Sequence, residues 1–138
     1  MQNRGQISLE YLMVVGFVVF IVILLLGLAI FYTATAQDSI AISQLNNFAN
    51  KILSSAETVY FSGEPSKLTI TAYLPEGIQN FEILDNSLVF NISTSSGDTI
   101  TAFQSTVPLD PTSIFSFTGG VKRLEIVATS SNVKITPQ

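Results

Sequence analysis

The sequence predicts an α+β protein: a long N-terminal α-helix followed by a small antiparallel β-sheet or β-sandwich head. Three observations lead to this. Residues Tyr11 to Tyr32, YLMVVGFVVFIVILLLGLAIFY, hold no charge, no Asn or Gln and no Pro. From Ile42 to Tyr60 the apolar residues recur in the steps of a single helical stripe. From Pro65 onward, 20 of 74 residues are Ser or Thr, and short stretches alternate apolar and polar with period two.

The first element is the apolar run. A bilayer core of about 30 Å needs about 20 helical residues, and the run has 22. In lipid the backbone must satisfy its own polar groups, so the run is helical there despite its many Val and Ile residues. Only Arg4 and the amino terminus precede it, and no Lys or Arg follows until Lys51. The positive-inside rule then keeps the N-terminus in the cytoplasm and sends the rest outside. A secretory signal has a shorter apolar core of about 7 to 15 residues and a small-residue cleavage site. Here Ala34-Thr35-Ala36 is the one weak candidate for such a site.

The helix is expected to continue past the membrane. No Pro occurs before Pro65, and no Gly lies between Gly27 and Gly63. Ile42, Leu45, Phe48, Ala49, Ile52, Leu53, Ala56, Val59 and Tyr60 make the stripe, with Ser43, Gln44, Asn46, Asn47, Asn50, Lys51 and Ser54 opposite. Ser62-Gly63-Glu64-Pro65 reads as a helix stop. The expected helix runs from about Ile7 to Phe61, roughly 80 Å long. Its second half must pack its stripe on something, and the head is the obvious partner.

The head spans residues 65–138. Its expected strands are Leu68–Leu74, Phe81–Leu84, Leu88–Ile92, Thr99–Val107, Ile114–Phe117, Lys122–Ala128 and Val133–Ile135. Turn clusters separate them, among them Pro75-Glu76-Gly77, Asp85-Asn86 and Ser95-Ser96-Gly97-Asp98. Phe103, Phe115 and Phe117 read as core.

Composition excludes several chemistries. The chain has 138 residues, a net charge of −4 and only 12% charged residues. It has no Cys, His or Trp, so there is no disulfide framework, no thiol nucleophile, no Cys/His zinc site and no His-based catalysis. The acidic balance and the lack of a basic run argue against a nucleic-acid partner. No clustered acid/base pair or spaced ligand set appears among Glu76, Glu82, Asp85, Asp98 and Asp110, so we expect neither an enzyme nor a cofactor or metal.

Glu10 is the only ionisable carboxylate between residues 7 and 32. An unpaired carboxylate in apolar surroundings is costly, and nothing basic within that segment can pair with it. Either it sits solvated in the headgroup region near the helix start, or it meets a charge brought by another molecule.

Gly5-Gln6-x-Ser8-x-Glu10, behind a short basic leader and directly ahead of the apolar run, resembles the class III signal peptide of archaeal type IV pilin-like proteins. The resemblance is close over residues 1 to about 60 and only architectural over the head. It implies a leader of residues 1–5, cut off by a prepilin peptidase between Gly5 and Gln6. It implies a retained helix of residues 6–62, in which 11–32 form the membrane or filament core and 33–62 pack on the head. The mature net charge becomes −5, since Arg4 is lost and all ten acids remain. In filaments of this family the matching Glu is thought to meet the N-terminal amine of a neighbouring subunit, so Gln6 and Glu10 are the expected assembly residues. Such a pair would set axial register, because a slipped neighbour leaves two unpaired charges in a dry core. Bacterial relatives often carry a Pro in the apolar stretch; this chain has none, so an unbroken helix is expected.

The function implied is that of a structural subunit of an archaeal type IV pilus-like filament, acting in surface or cell–cell adhesion. Its partners would be other copies of itself in a helical homopolymer, the prepilin peptidase, the pilus assembly machinery, and the cytoplasmic membrane before export to an extracellular filament. Alternatives are an archaellin, a minor pilin or pseudopilin, and, from another class, a membrane-anchored extracellular binding module. Asn91-Ile92-Ser93 also matches the N-glycosylation pattern, within an expected strand where an ordinary outward polar residue is the rival reading. Lys122-Arg123, the one basic pair, reads as a solvated strand face or an adhesive contact. Gly16 and Gly27 would let helices approach closely or bend, or are simply common membrane-helix residues.

Overall fold

The structure is a computed structural model that describes residues 3–113 and 118–138, with side chains from Leu9 onward. One helix, α1 (Asn3–Ser62), precedes six strands among the described residues. These are β1 (Lys67–Leu74), β2 (Ile78–Leu84), β3 (Ser87–Thr94), β4 (Gly97–Gln104), β5 (Gly120–Ala128) and β6 (Val133–Pro137). The strands form two three-stranded antiparallel sheets, β1-β5-β6 and β2-β3-β4. The expected α+β class is therefore what the chain adopts. It divides into two compact units, Met1–Gln37 and Asp38–Gln138.

In the first unit α1 begins at Asn3, four residues before the expected start at Ile7, and runs without interruption through Gly16 and Gly27. A Cβ added at either glycine would meet nothing within 4 Å, so the chain itself places no steric demand on them.

In the second unit α1 ends as the residues dictate. Gly63 takes φ +72, a left-handed conformation that a side chain would disfavour, and its N–H closes on the Tyr60 carbonyl at 3.1 Å. Most of the stripe is buried as expected: Leu45, Phe48, Ala49, Ile52, Ala56 and Val59 are inside and Leu53 and Tyr60 are packed at the margin, while Ile42, expected at its start, is only half-buried and lies outside the core. Ser55 is buried with them, its hydroxyl donating to the Lys51 carbonyl at 2.7 Å.

The stripe and the inner faces of both sheets share one core. Strand alternation supplies Ile70, Ala72 and Leu74 from β1, Leu88, Phe90 and Ile92 from β3, and Leu124, Ile126 and Ala128 from β5. Phe90 is the aromatic hub. Phe48 of α1 meets it edge-on with ring centroids 6.2 Å apart, and Phe81 and Phe103 flank it at 5.0 and 6.1 Å. Phe103, expected as core, is only partly buried because β4 is an edge strand.

The β2–β3 connection shows why its residues were chosen. Leu84 pairs with Ser87, leaving Asp85 and Asn86 as a two-residue loop at φ 46 and 65. Positive φ at both central positions is the type I′ signature, which suits the twist of a hairpin and favours Asp and Asn. Asn86 also fixes the next crossover, since its Oδ1 accepts from Leu109 N–H at 2.8 Å and its carbonyl from Ser105 N–H at 2.9 Å.

Two strand expectations need amendment. The stretch Thr99–Val107 leaves the sheet at Gln104. Ser105 turns the chain by donating its hydroxyl to the Val107 carbonyl, and Pro108, which has no N–H for a ladder, follows. The segment then lies along β6, with Val133 N–H donating to the Pro108 carbonyl and Asp110 N–H to the Val133 carbonyl. The expected strand Ile114–Phe117, including Phe115 and Phe117, falls outside the described residues.

Candidate functional site: the uncovered helix and the head that follows it

The lateral surface of α1 in the first unit is the largest feature the fold leaves unused. From Leu9 to Tyr32 the large apolar side chains are 39% to 72% exposed, on every side of the helix. A helix apolar all round is stable in water only if something covers it. This helix is long and apolar enough to cross a membrane. Even its distal hydroxyls are satisfied internally: Thr33 donates to the Ala29 carbonyl at 2.8 Å and Thr35 to the Phe31 carbonyl at 3.3 Å. Such back-bonding leaves neither threonine hydroxyl hydrogen needing water.

Glu10 lies exposed on this helix, between Leu9 and Tyr11. Gly5 and Gln6 lie in α1 by their backbone, Gln6 one helical turn before Glu10, and their side chains are outside the described residues. The expected site residues are thus split between two places, because Asn91 belongs to the head.

Asn91 sits mid-way along β3, the central strand of its sheet, opposite Asn80 on β2 and Ile100 on β4. It faces outward and is half-buried, on the floor of a depression of about 230 Å³ walled by Glu82, Leu84, Val89 and Ile100. Its Oδ1 is buried without a hydrogen-bond partner. Arg123 is exposed on the outer face of β5, while Lys122 donates to the Thr118 hydroxyl at 3.0 Å.

Sequence reasoning missed the role of three charges. Asp38, Lys51 and Glu57 are the only charged residues of α1 beyond the apolar run, and each bonds to the head. Asp38 accepts from the backbone N–H of Ser95 at 3.1 and 3.2 Å and from its hydroxyl. Lys51 Nζ donates to the Thr71 carbonyl at 2.7 Å, on β1. Glu57 Oε1 accepts from the Thr106 hydroxyl at 2.5 Å. The only available signal was their isolation in an otherwise uncharged helix, which does not reveal a partner 20 to 57 residues away.

Among the described residues no group of three or more Asp or Glu is placed to hold a metal ion. No family model matches the chain, and no curated protein or solved structure matches it.

Proposed function

We propose that the chain is a structural subunit of an archaeal type IV pilus-like filament, held in the cytoplasmic membrane as a precursor and polymerised through α1, with surface or cell–cell adhesion as its role. The observation that supports this most is the uncovered apolar surface from Leu9 to Tyr32, continuous in one helix with a stripe that packs into a β head. In a bilayer, lipid covers that surface. Outside it, only other copies can, since about 20 apolar side chains at roughly 1.5 kcal/mol or more each leave no dispersed alternative in water.

In this reading a prepilin peptidase cuts between Gly5 and Gln6. The new amine of Gln6 pairs with Glu10 of a neighbouring subunit, and the assembly machinery draws the helices into a common core. Glu10 then fixes register rather than adding much stability. The test is electron microscopy of shed surface filaments with mass spectrometry of their N-terminus. Filaments whose chain begins at Gln6 are expected. A chain beginning near residue 37 would overturn the reading, because the helix would have been discarded. Glu10→Ala is expected to insert normally and to impair filament formation.

A further inference from the structure

The head is divided by charge. Four of the six basic residues, Lys67, Lys122, Arg123 and Lys134, lie on β1, β5 and β6. Residues 78–104, which make β2, β3 and β4, contain no Lys or Arg and carry Glu82, Asp85 and Asp98. The split extends to the outer faces. On β1-β5-β6 the side opposite the core presents Lys67, Arg123 and Lys134, with Glu125 bridged to Lys67 at 3.3 Å and Asp110 beside Lys134. On β2-β3-β4 it presents Glu82 and Asp98. Their partners are amides, not cations: Asn80 Nδ2 at 2.8 Å from Glu82 and Gln79 Nε2 at 3.0 Å from Asp98.

Each outer face also carries exposed apolar side chains: Tyr73 and Val121 on the basic face, Leu84 and Ile100 on the acidic one. The acidic face has in addition the depression floored by Asn91, whose buried Oδ1 lacks a donor. A donor entering the depression would find the Glu82 carboxylate and apolar walls suited to an aliphatic stem.

We propose that the acidic outer face of β2-β3-β4 receives the basic outer face of β1-β5-β6 from a second copy of this chain. Arg123 enters the depression at Glu82, and Ile100 meets Val121. The occupant is a second copy because one chain carries both halves of the complementarity. Pairing the acidic face with its own kind would oppose Glu82 and Asp98 to like charges, which is costly. The contact is therefore head-to-tail, leaves one face of each kind free, and repeats along a series of copies. It belongs to the second unit alone and does not depend on the filament reading.

The test uses the full chain in detergent micelles, where filaments do not form. The chain has no cysteine, so single cysteines report unambiguously. Ile100→Cys and Val121→Cys chains are mixed and oxidised. Mixed 100–121 dimers are expected, with neither chain crosslinking to itself. Arg123→Glu in the Val121→Cys chain should lower the yield at least about tenfold, and Glu82→Arg in its Ile100→Cys partner should restore it. Restoration shows that the first variant still folds. Self-crosslinks equal to mixed ones, no crosslink at all, or indifference to Arg123→Glu would overturn the proposal. So would a glycan on every Asn91, since it would fill the depression.

Discussion

Asp38 of α1 accepts both the backbone N–H and the hydroxyl of Ser95, in the loop between β3 and β4. A single carboxylate thus ties the first residue of the second unit to the far end of a hairpin 57 residues on. Hydrogen bonds to a charged group are stronger than neutral ones, though partial exposure here reduces the gain. Asp38→Ala should cost about 1 kcal/mol, or about 4 to 8 °C in melting temperature for a unit of this size. Asp38→Asn, which keeps one acceptor oxygen, should lose less. Thermal circular dichroism of the detergent-solubilised chain reads both, and equal melting of wild type and Asp38→Ala would show the tie to be idle.

The Phe48–Phe90 pair is a heavier joint. Both rings are fully buried, and they join α1 to the centre of β3. Phe90→Ala should cost about 3 to 5 kcal/mol, because the cavity would lie among Phe48, Phe81 and Phe103 and cannot fully collapse. Phe61→Ala is the control: Phe61 is 79% exposed and sits in the last turn of α1, so its loss should change denaturant midpoints little.

Gly119 is needed for space. An added Cβ would lie 2.6 Å from Glu76 Cγ and 3.0 Å from Glu76 Cα, and the backbone on that side cannot step aside cheaply. Gly119→Ala should destabilise by about 1 to 3 kcal/mol, through displacement of the β1–β2 turn. At Gly63 the same substitution meets open space but a left-handed backbone at φ +72, so its cost of about 1 kcal/mol is conformational. Gly63→Asn, which tolerates that conformation, should recover most of it. At position 119 Asn should not.

Much of this was legible in the sequence because local chemistry and tertiary demand agree. The stripe from Leu45 to Val59, the Gly63 stop and the Asp85-Asn86 hairpin each follow from residue type and spacing. What could not be read is what depends on distant partners. The end of β4 at Gln104 follows from Ser105 bonding to Asn86 and from the next residues joining β6, and alternation alone ran on to Val107. The ties of Asp38, Lys51 and Glu57 and the charge division of the sheets likewise appear only once the strands are ordered, because β1 pairs with β5 across the whole of the other sheet. Of the site residues, Glu10 stood out by its chemistry, whereas the unpaired Oδ1 of Asn91 is a product of its neighbours on β2 and β4.

Asp110 gives the fold an acid limb. The Thr112 hydroxyl and the Thr112 N–H both donate to its carboxylate and hold it below its ordinary value of 3.8, with Lys134 adding to the same effect and partial burial opposing it. A carboxyl group lowered in the folded state stabilises the fold above its unfolded pKa, and that contribution is lost as pH falls through the folded value. Denaturant titrations from pH 6 to pH 2 should therefore show wild type more stable than Asp110→Ala at the upper end. The two curves should converge below about pH 4. A gap that stays constant to pH 2 would assign the effect to the turn geometry rather than to the charge.

The apolar segment should be separable from the fold of the head. Among the described residues the buried core begins at Leu45, with Ala41 packed against it, so charges placed between Leu9 and Tyr32 replace no core residue. Their cost falls instead on the environment that covers the helix. An Arg near the middle of a membrane helix costs about 2.5 to 3.5 kcal/mol, so Phe20→Arg with Leu24→Arg together oppose insertion by about twice that. The double variant should lose much of its alkali-resistant membrane fraction, while its head melts at the wild-type temperature in detergent. Leu9→Arg, at the end of the run, should lose little of that fraction, because its charge can reach the interface. Membrane retention of the double variant equal to wild type would mean that lipid does not cover Leu9 to Tyr32. A lowered melting temperature of its head would mean that the two units do not fold independently.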